Sequence, residues 1–161
     1  MGRFLHSWCW LPEAFLDDVV KLREAAKADF PAIRALIRQT GINPLGLDWR
    51  RFIVAESPAG AFIGCGQLKP HSDGSLELAS LAVVPAWRGR GVARLIIQAL
   101  MAKAPRPLYL TCRGQLGPFY EKFGFRVLRP EEMPLYFRRL SRLAGIVGKL
   151  VNETMLVMKV D

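Results

Sequence analysis

Cysteine and histidine are few in this chain. Its three cysteines, Cys9, Cys65 and Cys112, are odd in number and show no close pairing such as C-x-x-C; neither a disulfide framework nor a zinc site is suggested. The two histidines, His6 and His71, stand alone in an N-terminal leader and in a turn, so no metal site is expected. Apolar runs are short: the longest are cut by Arg94, Lys103 or Lys149, and none approaches the ~18 residues of a membrane span. The opening Met1 to Leu16 is broken by His6, Pro12 and Glu13 and has no small-residue cleavage pattern, which makes it a poor signal peptide. Repeats and low-complexity stretches are also missing. These absences lead to the expectation of a reduced, cytoplasmic protein with no membrane anchor.

What is present suffices for one packed core. Of 161 residues, 51% are hydrophobic and 23% charged, far from the composition of disordered chains. At that length a single domain buries roughly 70% of its unfolded surface. The formal net charge of +9 attracts polyanions, and nucleic acid, an acidic membrane or a phosphorylated ligand would each satisfy it. The basic residues are spread along the chain without a dense tract, which argues against nucleic acid.

Strand and helix patterns alternate. A strand is expected over Val19–Glu24, then a helix starting near Phe30 with Asp29 as N-cap, Pro31 in its first turn and Gly41 as its stop. Strands follow at Phe52–Glu56, Ala61–Leu68 and Leu76–Val84, joined by turns at 57–60 and 71–74. Val92–Ala102 has Leu95, Ile96, Ala99 and Leu100 at helical spacing. Beyond it lie a strand at Leu108–Cys112, a short helix at Leu116–Phe123 capped by Gly124, and a strand at Phe125–Leu128. A basic amphipathic helix over Met133–Leu150 and a strand at Met155–Val160 close the chain. The fold class is mixed α/β.

The chemistry concentrates in Leu81-Ala82-Val83-Val84-Pro85-Ala86-Trp87-Arg88-Gly89-Arg90-Gly91-Val92-Ala93, a strand running through a glycine-bearing turn into a helix. Such a turn presents unpaired N–H groups and the positive end of a helix dipole, while Gly89 and Gly91 let a diphosphate approach the backbone. A merely tight turn is the plain alternative. Only two glycines stand here and no acid follows in the helix, so the dinucleotide fingerprint is not met. Gly145 to Lys149 lacks the glycine spacing and the Ser or Thr of a phosphate loop.

Arg88-Gly89-Arg90-Gly91-Val92-Ala93 matches the R/Q-x-x-G-x-G/A motif of the GNAT superfamily of N-acetyltransferases. Further along, Phe119-Tyr120-Glu121-Lys122-Phe123-Gly124-Phe125 resembles that superfamily's second hallmark. The resemblance covers nearly everything from residue 19 to 161 and leaves residues 1–18 as a leader outside it. It implies a single GNAT-like domain, with a twisted, mixed but mostly antiparallel central sheet and flanking helices. It further implies acetyl-CoA as co-substrate, with backbone groups of Leu81, Ala82 and Val83 on the pantetheine arm and the N–H groups from Arg88, Gly89, Arg90, Gly91, Val92 and Ala93 on the pyrophosphate. A pantetheine pairing with free strand edges in the manner of an added strand agrees with the residues.

An amine attacks a thioester only when neutral, and a lysine-like amine of pKa ~10.4 is mostly protonated near pH 7. Glu77 is the candidate base, since part of the superfamily uses a glutamate at this position. Strict alternation sets it on the face of Ala79, Leu81 and Val83. It reads either as a carboxylate desolvated among Leu76, Leu78 and Leu81 or as a strand-end glutamate in water. Glu56 is a second carboxylate for that task. The resemblance puts a general acid for the leaving thiolate at Tyr120, whose alternative is a core aromatic with a tethered hydroxyl. Many members carry an asparagine where Arg113-Gly114-Gln115 stands. Cys112 has no histidine near it in sequence and reads as a buried thiol.

Three classes of function follow: direct acetyl transfer from acetyl-CoA to a primary amine of a small molecule, peptide or protein; an idle acyl-CoA-binding or interaction module; and a nucleic-acid-associated protein, which rests on charge alone. The acceptor side is expected along the loop Thr40 to Arg51 and the hairpin, with Trp49 and Phe52 as aromatic surface. Basic walls favour a carboxylate-bearing acceptor over a polyamine. Self-association into a homodimer is compatible with the pattern.

Overall fold

A computed structural model describes residues 20–151 and 154–161, with residues 146–151 by backbone alone. The proposed leader, residues 1–18, and Val19 lie outside the described residues. Among the described residues seven strands form one sheet: β1 (Lys21–Glu24), β2 (Phe52–Glu56), β3 (Phe62–Pro70), β4 (Leu76–Val83), β5 (Leu108–Arg113), β6 (Arg126–Val127) and β7 (Met155–Val160). Four α-helices among the described residues accompany them: α1 (Phe30–Gln39), α2 (Val92–Lys103), α3 (Gly117–Glu121) and α4 (Leu135–Val151). Along the sheet the order is β1-β2-β3-β4-β5-β7-β6. Every neighbouring pair is antiparallel except β4 and β5, which are parallel because α2 connects them across one face. The mixed α/β, mostly antiparallel architecture is thus the one expected.

Each face has its own core. On one, Ile96, Ile97 and Leu100 of α2 pack on Ile53, Ala55, Leu78, Leu108 and Leu110. On the other, Ile33, Leu36 and Ile37 of α1 cover Phe52, Val54, Cys65 and Ala82. Fully buried isoleucines of this kind stabilise by roughly 1.5–3 kcal/mol each. A third cluster seats Phe137 of α4 against Leu128, Met133 and Val157. Among the described residues no helix is long and apolar enough to cross a membrane.

Two expectations need correction. Asp29 holds the N-cap position of α1 as expected but does not cap it with its side chain: it has helical φ and ψ of −77° and −18° and makes no cap bond there. Its carboxylate instead accepts from the Ala26 N–H at 2.7 Å and takes both Arg23 nitrogens at 2.7 and 2.9 Å. The second correction concerns β4. Gln67 faces Ala79 while Cys65 faces Ala82, so β4 spends three steps where β3 spends two, and Ser80 absorbs the extra residue at φ 54°. This bulge inverts the alternation. Leu76 and Leu78 before it, and Leu81 and Val83 after it, all pack towards α2, whereas Ala82 joins the α1 side. Glu77 therefore does not share a face with Leu81 and Val83.

Candidate active site

β4 and β5 meet in register at one pair, Glu77 and Tyr109. Beyond it the two strands part, so the β5-facing edge of Leu81–Val83 has no strand partner. A cavity of about 550 Å³ opens in the gap, with Glu77, Ser80, Leu81, Thr111, Cys112 and Tyr120 among its walls. Ser80, whose positive φ of 54° is costly for a residue with a Cβ, is itself one of these walls.

At the far end of β4 the chain makes a single 3₁₀ turn, Pro85–Trp87, and reaches α2 through Arg88–Gly91. Gly89 and Gly91 have φ of 72° and 83°, a region in which other residues are strained. The first intrahelical bond of α2 runs from the Leu95 N–H to the Gly91 carbonyl at 3.2 Å, so the N–H groups of Val92 and Ala93 precede the helical ladder. Not every expected donor is available, however. The Arg88 N–H is already given to the Pro85 carbonyl at 3.3 Å, and the Arg88 Nε donates to the Val83 carbonyl at 3.0 Å. Arg88 thus ties the turn to the strand that precedes it. The Arg90 guanidinium lies over the Trp87 ring, 5.3 Å from its centroid.

Glu77 is only 5% exposed, so it is not a strand-end glutamate in water. Nor is it isolated among leucines. Its Oε2 lies 2.8 Å from His71 Nε2, and its Oε1 accepts from Thr111 Oγ1 at 2.9 Å. The buried His71 ring is stacked on Tyr136 at a centroid distance of 3.5 Å and meets Phe137 edge-on at 5.5 Å. Asp73, in the same turn, accepts from the Tyr136 N–H at 2.8 Å and thereby fixes the first turn of α4. His71, Thr111 and Tyr136 were not anticipated as site residues.

Tyr120 is both a cavity wall and a core aromatic: it is 7% exposed and packs edge-on against Phe119 and Phe125. Burial, and secondarily Cys112, raises its phenol above the ordinary value. Cys112 also lines the cavity, and burial pushes its thiol up to about 11, which keeps it neutral and a poor nucleophile near pH 7. Arg113 and Gln115, where an asparagine would be usual, reach the cavity wall. Among the described residues no cluster of three His, Cys, Asp or Glu side chains is disposed to hold a metal ion.

The acceptor side is partly as expected. Thr40, Gly41, Ile42 and Asn43 line the cavity. Phe52 does not, because it is 1% exposed in the core under α1, and Trp49 is stacked beneath Arg50 at 4.8 Å and lies outside the lining. The aromatic wall is supplied by Tyr136 instead. Glu56 is engaged by Arg23 at 2.7 Å.

Residues 48–127, from the turn before β2 to the end of β6, match the family model of the acetyltransferase (GNAT) domain. No curated protein sequence matches the chain. Among solved structures, N-acetylglutamate synthase from Neisseria gonorrhoeae, complexed with coenzyme A and N-acetyl-glutamate, superposes with a TM-score of 0.68 and 25% identity. That likeness covers 88% of this chain but 35% of the Neisseria chain, so this protein spans about a third of that enzyme's length. A Mycobacterium tuberculosis protein in complex with CoA gives 0.66 at 22% identity, covering 85% of this chain and 97% of the other. Arabidopsis thaliana Naa50, in complex with a bisubstrate analogue, gives 0.57 at 15%, with 89% and 99% covered.

Proposed function

The chain belongs to the GNAT acetyltransferases, and from that premise we propose that it moves an acetyl group from acetyl-CoA directly to the amine of a small acceptor. The observation that carries this reading is the parting of β4 from β5 immediately beyond Glu77. A free strand edge, a cavity and a buried carboxylate meet at that point.

The residues fit acetyl-CoA. Gly89 and Gly91 leave the turn without side chains over its backbone, Val92 and Ala93 offer N–H groups at the positive end of α2, and Leu81–Val83 offers the strand edge for pantetheine amides. When bound, acetyl-CoA supplies the activated thioester. Glu77 receives the proton of the acceptor amine. Its two oxygens have about four lone-pair sites, so the contacts to His71 and Thr111 leave capacity for an amine or a bridging water. Those contacts act by position: they hold the carboxylate towards the cavity and prevent it from turning into the sheet. Tyr120 has a narrower role than general acid. Burial holds the phenol above its ordinary value of ~10, so Tyr120 stays neutral and donates a hydrogen bond to the departing sulfur. A binding module without turnover has no need for a buried carboxylate held by two partners at the mouth of the cleft.

The test is binding and turnover together. At a hundredfold excess over Kd, acetyl-CoA should stabilise the fold by about 2.7 kcal/mol, which raises Tm by roughly 5–10 °C at this chain length. Gly91→Val should abolish the rise, and an amine panel should release free CoA. A protein that neither melts higher with acetyl-CoA nor acetylates any amine would refute the proposal.

A further inference from the structure

Lys69 stands directly opposite Glu77 in the β3–β4 ladder. Side chains in that register rise from the same face of the sheet with Cβ atoms about 5 Å apart, and a lysine and a glutamate so placed ordinarily attract each other. Here they are kept separate. Both Glu77 oxygens are turned to His71 and Thr111. The Lys69 Nζ donates to the Leu45 carbonyl at 2.9 Å, and among the described residues no carboxylate pairs with it.

This lysine is held in place. Its half-buried side chain forms part of the cavity wall, and its end is pressed against Gly46, where a Cβ would fall 2.6 Å from Cε and 2.9 Å from Nζ. The single carbonyl satisfies one of the three ammonium donors. A cation with spare donors therefore rises from the same face of the sheet as the base, one strand away, and is held at the Leu45–Gly46 side of the cavity. Such a charge repels an acceptor that is only a cation, and it holds one that brings an anion of its own.

We propose that the acceptor is a free amino acid, its amine directed to Glu77 and its carboxylate bound by the Lys69 ammonium. The assignment rests on the acetyltransferase reading and specifies the substrate class of the same site. Only a few bonds separate amine from carboxylate in such a molecule, which matches two heads that leave adjacent strands side by side. A polyamine would face Lys69 with no compensating anion.

The experiment compares glutamate, alanine and β-alanine with their primary amides, using free-CoA release and mass measurement of the product. The free acids should exceed the amides roughly 10- to 100-fold in kcat/KM, the range for a hydrogen bond to a charged group. That preference should appear although the amides carry the less basic and more readily neutral amine. Lys69→Gln should collapse it through KM and Lys69→Arg should retain it, with the melting shift from acetyl-CoA unchanged in both. Amides used as well as the acids, or a preference that survives Lys69→Gln, would overturn the assignment and leave Lys69 as a pin for the loop at Leu45. Acetylation confined to amines without a carboxylate would overturn it while leaving the acetyltransferase reading intact. Failure of every amine together with the absence of a melting shift would refute both.

Discussion

The proposed donor side of the cleft is one continuous stretch, Leu81–Ala93, whereas the proposed acceptor side draws on four separate ones: the residues after α1 around Ile42, Lys69 to His71 at the end of β3 and in the following turn, Thr111 on β5 and Tyr136 on α4. The difference is physical. A strand, a glycine turn and a helix start form their geometry from local φ and ψ preferences and from the N–H groups that every helix leaves unpaired. The acceptor side exists only once the sheet is in register and α4 is docked. Substitutions in its distant parts should therefore change acceptor chemistry while leaving the donor turn as it was.

The largest effect expected is on Glu77. Glu77→Gln keeps the shape and can still accept from Thr111, but it no longer takes a proton. Turnover should fall roughly 10²–10⁴-fold, while the melting shift from acetyl-CoA persists. If both were lost together, the two sides would not be separable. An unchanged rate would remove Glu77 as base and leave water to receive the proton, since Glu56 is engaged by Arg23.

A smaller effect separates positioning from chemistry at His71. His71→Gln retains a donor that can reach Glu77 Oε2 and should stay within a few-fold of the parent enzyme. His71→Phe keeps a ring to stack on Tyr136 and leaves the carboxylate oxygen without its partner. A buried polar group so deprived costs about 1–3 kcal/mol, and kcat should drop roughly 10-fold or more with acetyl-CoA binding unaffected. Equal rates in the two variants would show that His71 does not position Glu77.

The same division explains what the sequence made legible. β2 and β7 fall on the residues expected from their apolar patterns, Phe52–Glu56 and Met155–Val160. The donor turn was readable because its geometry is local. The bulge at Ser80 was not, because a one-residue slip shows only against the register of β3. β6 is two residues rather than four because Phe125 and Leu128, which look like strand ends, are buried in two different clusters. His71 reads as a turn residue when viewed alone. A hairpin that pairs Pro70 with Leu76 brings it beside Glu77, and that pairing is the available signal. No sequence signal ties Tyr136, far along the chain, to that turn.

The smallest effect tests whether α4 belongs to the acceptor side by way of Asp73. Partial desolvation pushes the Asp73 carboxyl up, but the Ser75 hydroxyl, the backbone N–H groups of Tyr136 and Ser75, and the neighbouring His71 together hold it below its ordinary value. A carboxyl depressed in the folded state contributes stability that is fully present above its unfolded value, near 3.9, and is lost as pH falls through the lower folded one. Asp73→Asn should therefore destabilise the protein at pH 7, and the effect should fade only as pH falls below ~3.9 towards the lowered folded value. Because the side chain is exposed and screened, the loss should be about 0.5 kcal/mol, or roughly 1–2 °C in Tm. Tyr136, released at the first turn of α4, should then hold the acceptor less well, raising its KM by a factor of about two with the acetyl-CoA melting shift intact. A variant whose Tm difference from the parent does not shrink as pH is carried from 7 to well below the ordinary carboxyl value of ~3.9 would show that the charge on Asp73 does not hold α4, and an unchanged acceptor KM would place Tyr136 outside the binding surface.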